Sequence, residues 1–180
     1  MNMNSFLKAI EKKNNNLNVT LYHSNNTEEF GADWSNEVYS GTIKNVPKKF
    51  HTAGLTDIWC YIDSNMNPYF KVTINMDNRT EDDRWTLGQL DSVMNQPWGA
   101  DIMRYWLPKD YYYADRKERR QILKDLEEMS CDSLMIEVDE YAIHDLMDEY
   151  EVDDPTYLEE AIGDENALTI MGFSMEFIGY

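Results

Sequence analysis

Four sets of side chains in this 180-residue sequence have types and spacings that could do chemistry. His144 followed by Asp145 is the raw material of a carboxylate-oriented general base, but adjacent residues on a helix do not face each other, so the pair reads as a surface histidine in an acidic field. Cys60 and Cys131 are the two thiols of the chain, 71 positions apart and outside any C-x-x-C pair. With only three histidines beside them they assemble no sequence-local zinc site, and Cys60 alternates with Ile58 and Ile62 as a packing thiol does. The carboxylates Asp139, Glu140, Asp145, Asp148, Glu149, Glu151, Asp153, Asp154, Glu159 and Glu160 could collect hard cations. Neither 139–148 nor 148–159 supplies the glycine and the alternation of an EF-hand loop, however, and no dedicated metal site is expected. The fourth set is Tyr111, Tyr112 and Tyr113 ahead of Arg116, Lys117, Arg119 and Arg120, the aromatic-plus-basic combination that single-stranded nucleic acid favours.

None of the eight glycines falls in G-x-G-x-x-G or G-x-x-x-x-G-K-[ST], so the usual phosphate cradles are missing, and no G-x-S-x-G is present. No catalytic residue and no cofactor is assigned, and the chain is expected not to be an enzyme.

Charge is the unusual quantity. The chain holds 34 acidic and 16 basic side chains, for a formal −18, together with 5 Trp, 12 Tyr and 6 Phe. That aromatic content belongs to a folded protein, since acidic disordered chains lack it. Residues 1 to 124 carry 16 acidic and all 16 basic residues, whereas 125 to 180 carry 18 acidic and none basic. The whole net charge therefore sits in the C-terminal third. Such a surface repels free nucleic acid and anionic membranes and attracts basic proteins. The N-terminal stretch is polar, and no run of apolar residues is long enough to span a bilayer, so a cytoplasmic setting in a bacterial host cell is expected.

The elements that must position these residues follow from periodicity. A short helix is expected over 5–13 with Ser5 as its cap, then a strand over 17–22, a polar loop over 25–36 and a weaker strand over 37–43. Alternation of Ile58, Cys60 and Ile62, then of Phe70, Val72, Ile74 and Met76, around a turn at 64–68 predicts a hairpin over 57–76 with one apolar face. Thr80-Glu81-Asp82-Asp83 resembles a capping box and predicts a helix of about four turns over 81–94. Pro108 is expected to open a helix running over 110–129. A strand over 134–138, a helix from 139 or 140 through Tyr150, a short helix from Asp154-Pro155 to Gly163 and a strand over 171–177 complete the chain. This order predicts an α+β fold, an antiparallel sheet with helices packed on one face and an acidic helical C-terminal third. Residues 1–130 form the charge-balanced body, and 131–180 form an acidic β-α-α-β segment of the same domain.

Outward carboxylates one helical turn apart stand about 5–6 Å from each other at Cβ, so rows of them approximate a phosphate track. Lysines and arginines placed to neutralise phosphates accept carboxylates instead. Within Val138–Glu151, read as VDEYAIHDLMDEYE, the run Glu140-Tyr141-Ala142-Ile143-His144-Asp145 resembles a segment, E-E-Y-A-I-H-D-Y-E, of antirestriction proteins of the ArdA type. That resemblance implies a small acidic DNA mimic that blocks type I restriction enzymes. It covers about ten residues, and the charge-balanced first 124 residues depart from the family. In size and acidity the chain also resembles phage-borne anti-CRISPR proteins. The function expected is that of an acidic inhibitor occupying the basic nucleic-acid channel of a defence nuclease, either a CRISPR effector or a restriction enzyme. Three other readings stand beside it: a nucleic-acid-binding module using 111–124, a hydrolase with dispersed carboxylates, and an interaction protein with a solvated acidic face. The basic helix is also a candidate for pairing with itself, or with the acidic third of a second copy in a homodimer.

Overall fold

The computed structural model describes residues 1–11, 16–24, 36–63, 65, 67–95, 103, 106–138, 142–154, 157 and 173–177. Its centre is the hairpin that alternation marks out. Strands β3 and β4 are ten and twelve residues long, Ala53–Ile62 and Pro68–Arg79, and pair antiparallel with Ile58 opposite Val72 and Cys60 opposite Phe70. Asp63 builds the turn: its Oδ1 accepts from the backbone N–H groups of Asn65 and Asn67 at 2.8 and 2.9 Å. Those bonds, with that of Asn67 foremost, hold the Asp63 carboxyl below its ordinary range. At the far end the register slips between Ala53 and Gly54, and glycine is needed there because a Cβ on Gly54 would lie 2.7 Å from the Asn78 carbonyl oxygen.

Strand β1, Asn18–His23, lies on the other side of β4, and β2, Glu37–Thr42, pairs antiparallel outside it. With β5, the two residues Met94–Asn95, the sheet order is β2-β1-β4-β3-β5. The α+β class is as expected, but the sheet is mixed, because β1 runs parallel to β4 and β3 parallel to β5. The chain leaves β2 through 3-10 turns at Ile43–Asn45 and Lys48–Phe50 and re-enters as β3, so β4 returns into the space beside β1. Direction there is set by this crossover, which strand alternation does not encode.

Val19 and Leu21 of β1, Ile58 and Cys60 of β3, and Phe70, Val72 and Ile74 of β4 share one face and are all buried. Helix α1, Met3–Glu11, covers them with Met3, Phe6, Leu7 and Ile10, and the Phe6 and Phe70 rings meet edge to face at 5.0 Å and 78°. Each such side chain contributes about 1.5–3 kcal/mol relative to exposure.

The expected Ser5 cap is displaced by Asn2, whose Oδ1 accepts from the Ser5 backbone N–H at 3.0 Å while its Nδ2 donates to the carbonyl oxygens of Thr80 at 2.7 Å and Asp82 at 3.3 Å. Ser5 Oγ donates to the Asp83 carbonyl at 2.8 Å. Thr80–Asp83 is thus an extended strap across the start of α1, which is why no helix begins there. The capping box is six residues later: Thr86 Oγ1 accepts from Gln89 N–H at 3.4 Å and Gln89 Oε1 accepts from Thr86 N–H at 3.0 Å, opening a seven-residue α2 at Leu87–Val93.

The helix expected over 110–129 is likewise divided. Pro108 opens only a 3-10 turn, Lys109–Tyr112, and α3, Arg116–Glu127, starts afresh at Asp115. Asp115 Oδ1 accepts from the N–H groups of Lys117 and Glu118 at 2.7 and 2.9 Å, which makes it a stronger start than the proline. Strand β6, Leu134–Val138, pairs antiparallel with β7, Phe173–Phe177. Leu134, Ile136 and Cys131 join the core beside α1, and the Cys131 N–H donates to the Trp85 carbonyl at 2.9 Å. Helix α4 spans Ala142–Glu149. Most of the expected loop over 25–36 and of the helix expected after Asp154 lies outside the described residues, as do Asp139, Glu140, Glu159 and Glu160.

Candidate interaction surfaces

On α4, Asp145, Asp148 and Glu149 follow i, i+3, i+4 spacing and share one side of the helix. All three are exposed, while Leu146 and Met147 are half-buried. The helix ends with the Val152 N–H donating to the Met147 carbonyl at 2.9 Å and the Glu151 N–H to that of Asp148 at 3.4 Å, a pattern in which the intervening residue turns left-handed. That residue is Glu151, at φ 53°, the one non-glycine with positive φ among the described residues. Glutamate has no conformational reason to occupy a position that glycine or asparagine fills at lower cost. Glu151 and Asp153 extend the exposed acidic row beyond the helix. Among the described residues, none of the carboxylates of Asp145, Asp148, Glu149, Glu151 and Asp153 meets a cation. Asp154 is exposed and carries contacts of its own. His144 is exposed on the same helix, with no geometry of a catalytic pair.

The basic and aromatic set divides in two. Arg119 is spent on structure: its Nε donates to the Tyr111 carbonyl at 3.1 Å, its Nη2 to that of Tyr112 at 2.7 Å, and its guanidinium lies 5.5 Å from the Tyr111 ring centre. Lys124 pairs with Glu128 at 3.6 Å. Arg116, Lys117 and Arg120 are exposed and meet no acidic partner among the described residues. The ring of Tyr111 is half-buried and supports Tyr112 edge-on at 5.7 Å, whereas Tyr112 and Tyr113 are 66% and 92% exposed.

A feature absent from the sequence reading is the second face of the sheet. Trp59 and Tyr61 stack at 6.3 Å and 26°, Tyr61 and Tyr69 at 5.6 Å and 24°, and Lys71 Nζ stands 4.5 Å over the Tyr61 ring. The signal was present in the residues that alternate with the apolar ones, since Trp59, Tyr61 and Tyr69 are large aromatics rather than polar side chains. All four residues are half-buried, Trp59 and Lys71 hold further contacts, and burial raises the Tyr61 and Tyr69 hydroxyl pKa values. The ladder is part of the packed body.

Between α1, the strap and β6 lies a cleft of about 580 Å³ lined by Lys8, Ala9, Asp83, Trp85, Cys131 and Asp132 among others. Lys8 pairs with Asp83 at its rim and lowers the Asp83 carboxyl. Burial, then the charge of Asp132, pushes the Cys131 thiol up to about 12, and burial raises that of Cys60 as well. Neither thiol has the thiolate character of a nucleophile. Among the described residues no three His, Cys, Asp or Glu side chains converge as metal ligands, and no helix is long and apolar enough to cross a membrane. Comparison of the chain with protein-family models, curated proteins and solved structures finds no match.

Proposed function

We propose that the protein is a non-enzymatic inhibitor whose acidic surface, on α4 and the segment after it, occupies the basic nucleic-acid channel of a bacterial defence nuclease, a CRISPR effector or a restriction enzyme. One observation carries this reading: Glu151 holds a left-handed position at the end of α4, inside a row of carboxylates that no cation of the described residues offsets. A left-handed non-glycine residue costs of order 1 kcal/mol, and like charges one turn apart cost about 0.2–0.5 kcal/mol per pair. A solvated surface gains nothing from either cost, whereas a surface that must present carboxylates to lysines and arginines does. The ArdA-like run of residues 140–145 supports the same reading.

The test is inhibition of DNA cleavage by a panel of restriction and CRISPR nucleases. The variant Asp145→Lys/Asp148→Lys/Glu149→Lys is expected to lose inhibition by at least ~100-fold, in line with close charge pairs at interfaces. Glu151→Gly separates function from folding, because it should melt at the same or a higher temperature and yet inhibit less. If the triple reversal leaves inhibition intact, the acidic surface is not the binding site.

A further inference from the structure

We infer that the tip of α3 is a second binding site, one that takes a single-stranded nucleic-acid segment on Tyr112, Tyr113, Arg116, Lys117 and Arg120. The three cations lie within an arc of about 100° on the helix, i, i+1 and i+4 in sequence, so they form one patch. The carboxylates nearest in sequence, Asp115 and Glu118, form no ion pair with it. Asp115 accepts from the Lys117 and Glu118 N–H groups, and Glu118 returns to the Asp115 N–H at 3.0 Å, so both are committed to the helix start.

The backbone that carries the rings is fixed, and the Tyr112 ring rests edge-on against that of Tyr111. Arg119 clamps the carbonyls of Tyr111 and Tyr112, and the turn they belong to leads straight into the patch. Arg119 is therefore a positioning residue, and Tyr112 and Tyr113 are the groups presented. A ligand that satisfies this arrangement must offer several anionic groups together with flat faces. An acidic protein surface offers the first without the second, and a duplex keeps its base faces stacked inside. A single strand offers both, and stacking a base on an exposed ring is worth roughly 5- to 100-fold in affinity.

The acidic third of the molecule opposes any polyanion at long range, so binding is best measured at ~0.1 M salt, where a screening length of about 10 Å mutes distant charges and leaves contact pairs. Fluorescence anisotropy of the full chain with labelled oligo(dT), oligo(rU) and a blunt DNA duplex of the same length gives the readout. Both single strands are expected to bind, with the duplex at least ~10-fold weaker. Tyr112→Ala/Tyr113→Ala and Arg116→Ala/Lys117→Ala/Arg120→Ala should each lose ~10-fold or more while melting as the parent does, since every substituted residue is exposed. The Asp145→Lys/Asp148→Lys/Glu149→Lys variant should bind the oligonucleotides no worse than the parent, which separates this site from the inhibitory surface. Three results would overturn the proposal: no single-strand binding by the parent, equal binding of the duplex, or unchanged binding by both alanine variants. If the basic variant instead abolished a dimer seen by sedimentation and the oligonucleotides stayed free, the tip would belong to a second copy of the chain, and the proposal would be wrong.

Discussion

Arg119 donates from Nη2 to the carbonyl oxygen of Tyr112 at 2.7 Å, so one side chain of α3 closes the turn that precedes its own helix. Lysine keeps the charge at that position but cannot reproduce the planar fork. Arg119→Lys is expected to lower stability by about 0.5–1 kcal/mol, a fall in Tm of about 1–4 °C. Chymotrypsin should also cut faster after Tyr112 and Tyr113. Unchanged melting and unchanged cleavage would mean that the clamp does not persist in solution.

Asn2 couples α1 to the strap. Asn2→Ala removes a helix cap and leaves the half-buried Thr80 carbonyl without its donor, and a loss of roughly 1–3 kcal/mol is expected. Asn2→Asp restores the cap but sets a charge against two carbonyl oxygens, so it should not recover that loss. Urea midpoints at constant m-value measure both variants.

Asp82 is held down to about 2, first by its side-chain bond from Arg84 and then by the Arg84 backbone N–H. Its folded value lies below the ordinary 3.8, so its contribution is complete above about pH 4 and is lost as the pH falls towards 2. The parent should therefore melt above Asp82→Asn at neutral pH, with the gap closing between about pH 4 and pH 2. Salt should narrow the gap too, because the pair is exposed. A gap that widened in acid would refute the assignment.

Cys60 and Cys131 are both free and buried. A thiol reagent such as DTNB is expected to leave both unmodified in the native protein at pH 8 and to titrate both after addition of guanidinium. Rapid reaction of Cys131 in the native state would show that the cleft beside Trp85 opens.

The β3–β4 hairpin was legible because alternation and an Asp63-centred turn act locally, on the residues that carry them. The direction of β1 against β4 was not, since either direction buries Val19 and Leu21 against the same face. The helix expected from Thr80 failed for a related reason. Its capping signal was real as a pattern, but the strap residues at 80–83 meet Asn2 and Ser5, more than seventy positions away, before they can begin a helix. At the acidic surface, composition identified the residues, but it gave no sign that Glu151 would stand in a left-handed position. The basic patch was legible as a set and not as a division of labour, because the backbone carbonyls that engage Arg119 leave no mark on residue types.

The bond from Asn2 to Thr80 spans 78 positions. A ribosome making this chain releases the first helix long before its cap can be tied in, and β1 emerges before β4 exists to lie beside it. Until β4 and the strap are out, Met3, Phe6 and Ile10 are an apolar surface on a nascent chain, a stretch that chaperones bind and that aggregation exploits. The sheet order thus sets a timing problem in synthesis, because α1 stays uncovered until β4 and the strap have followed it out.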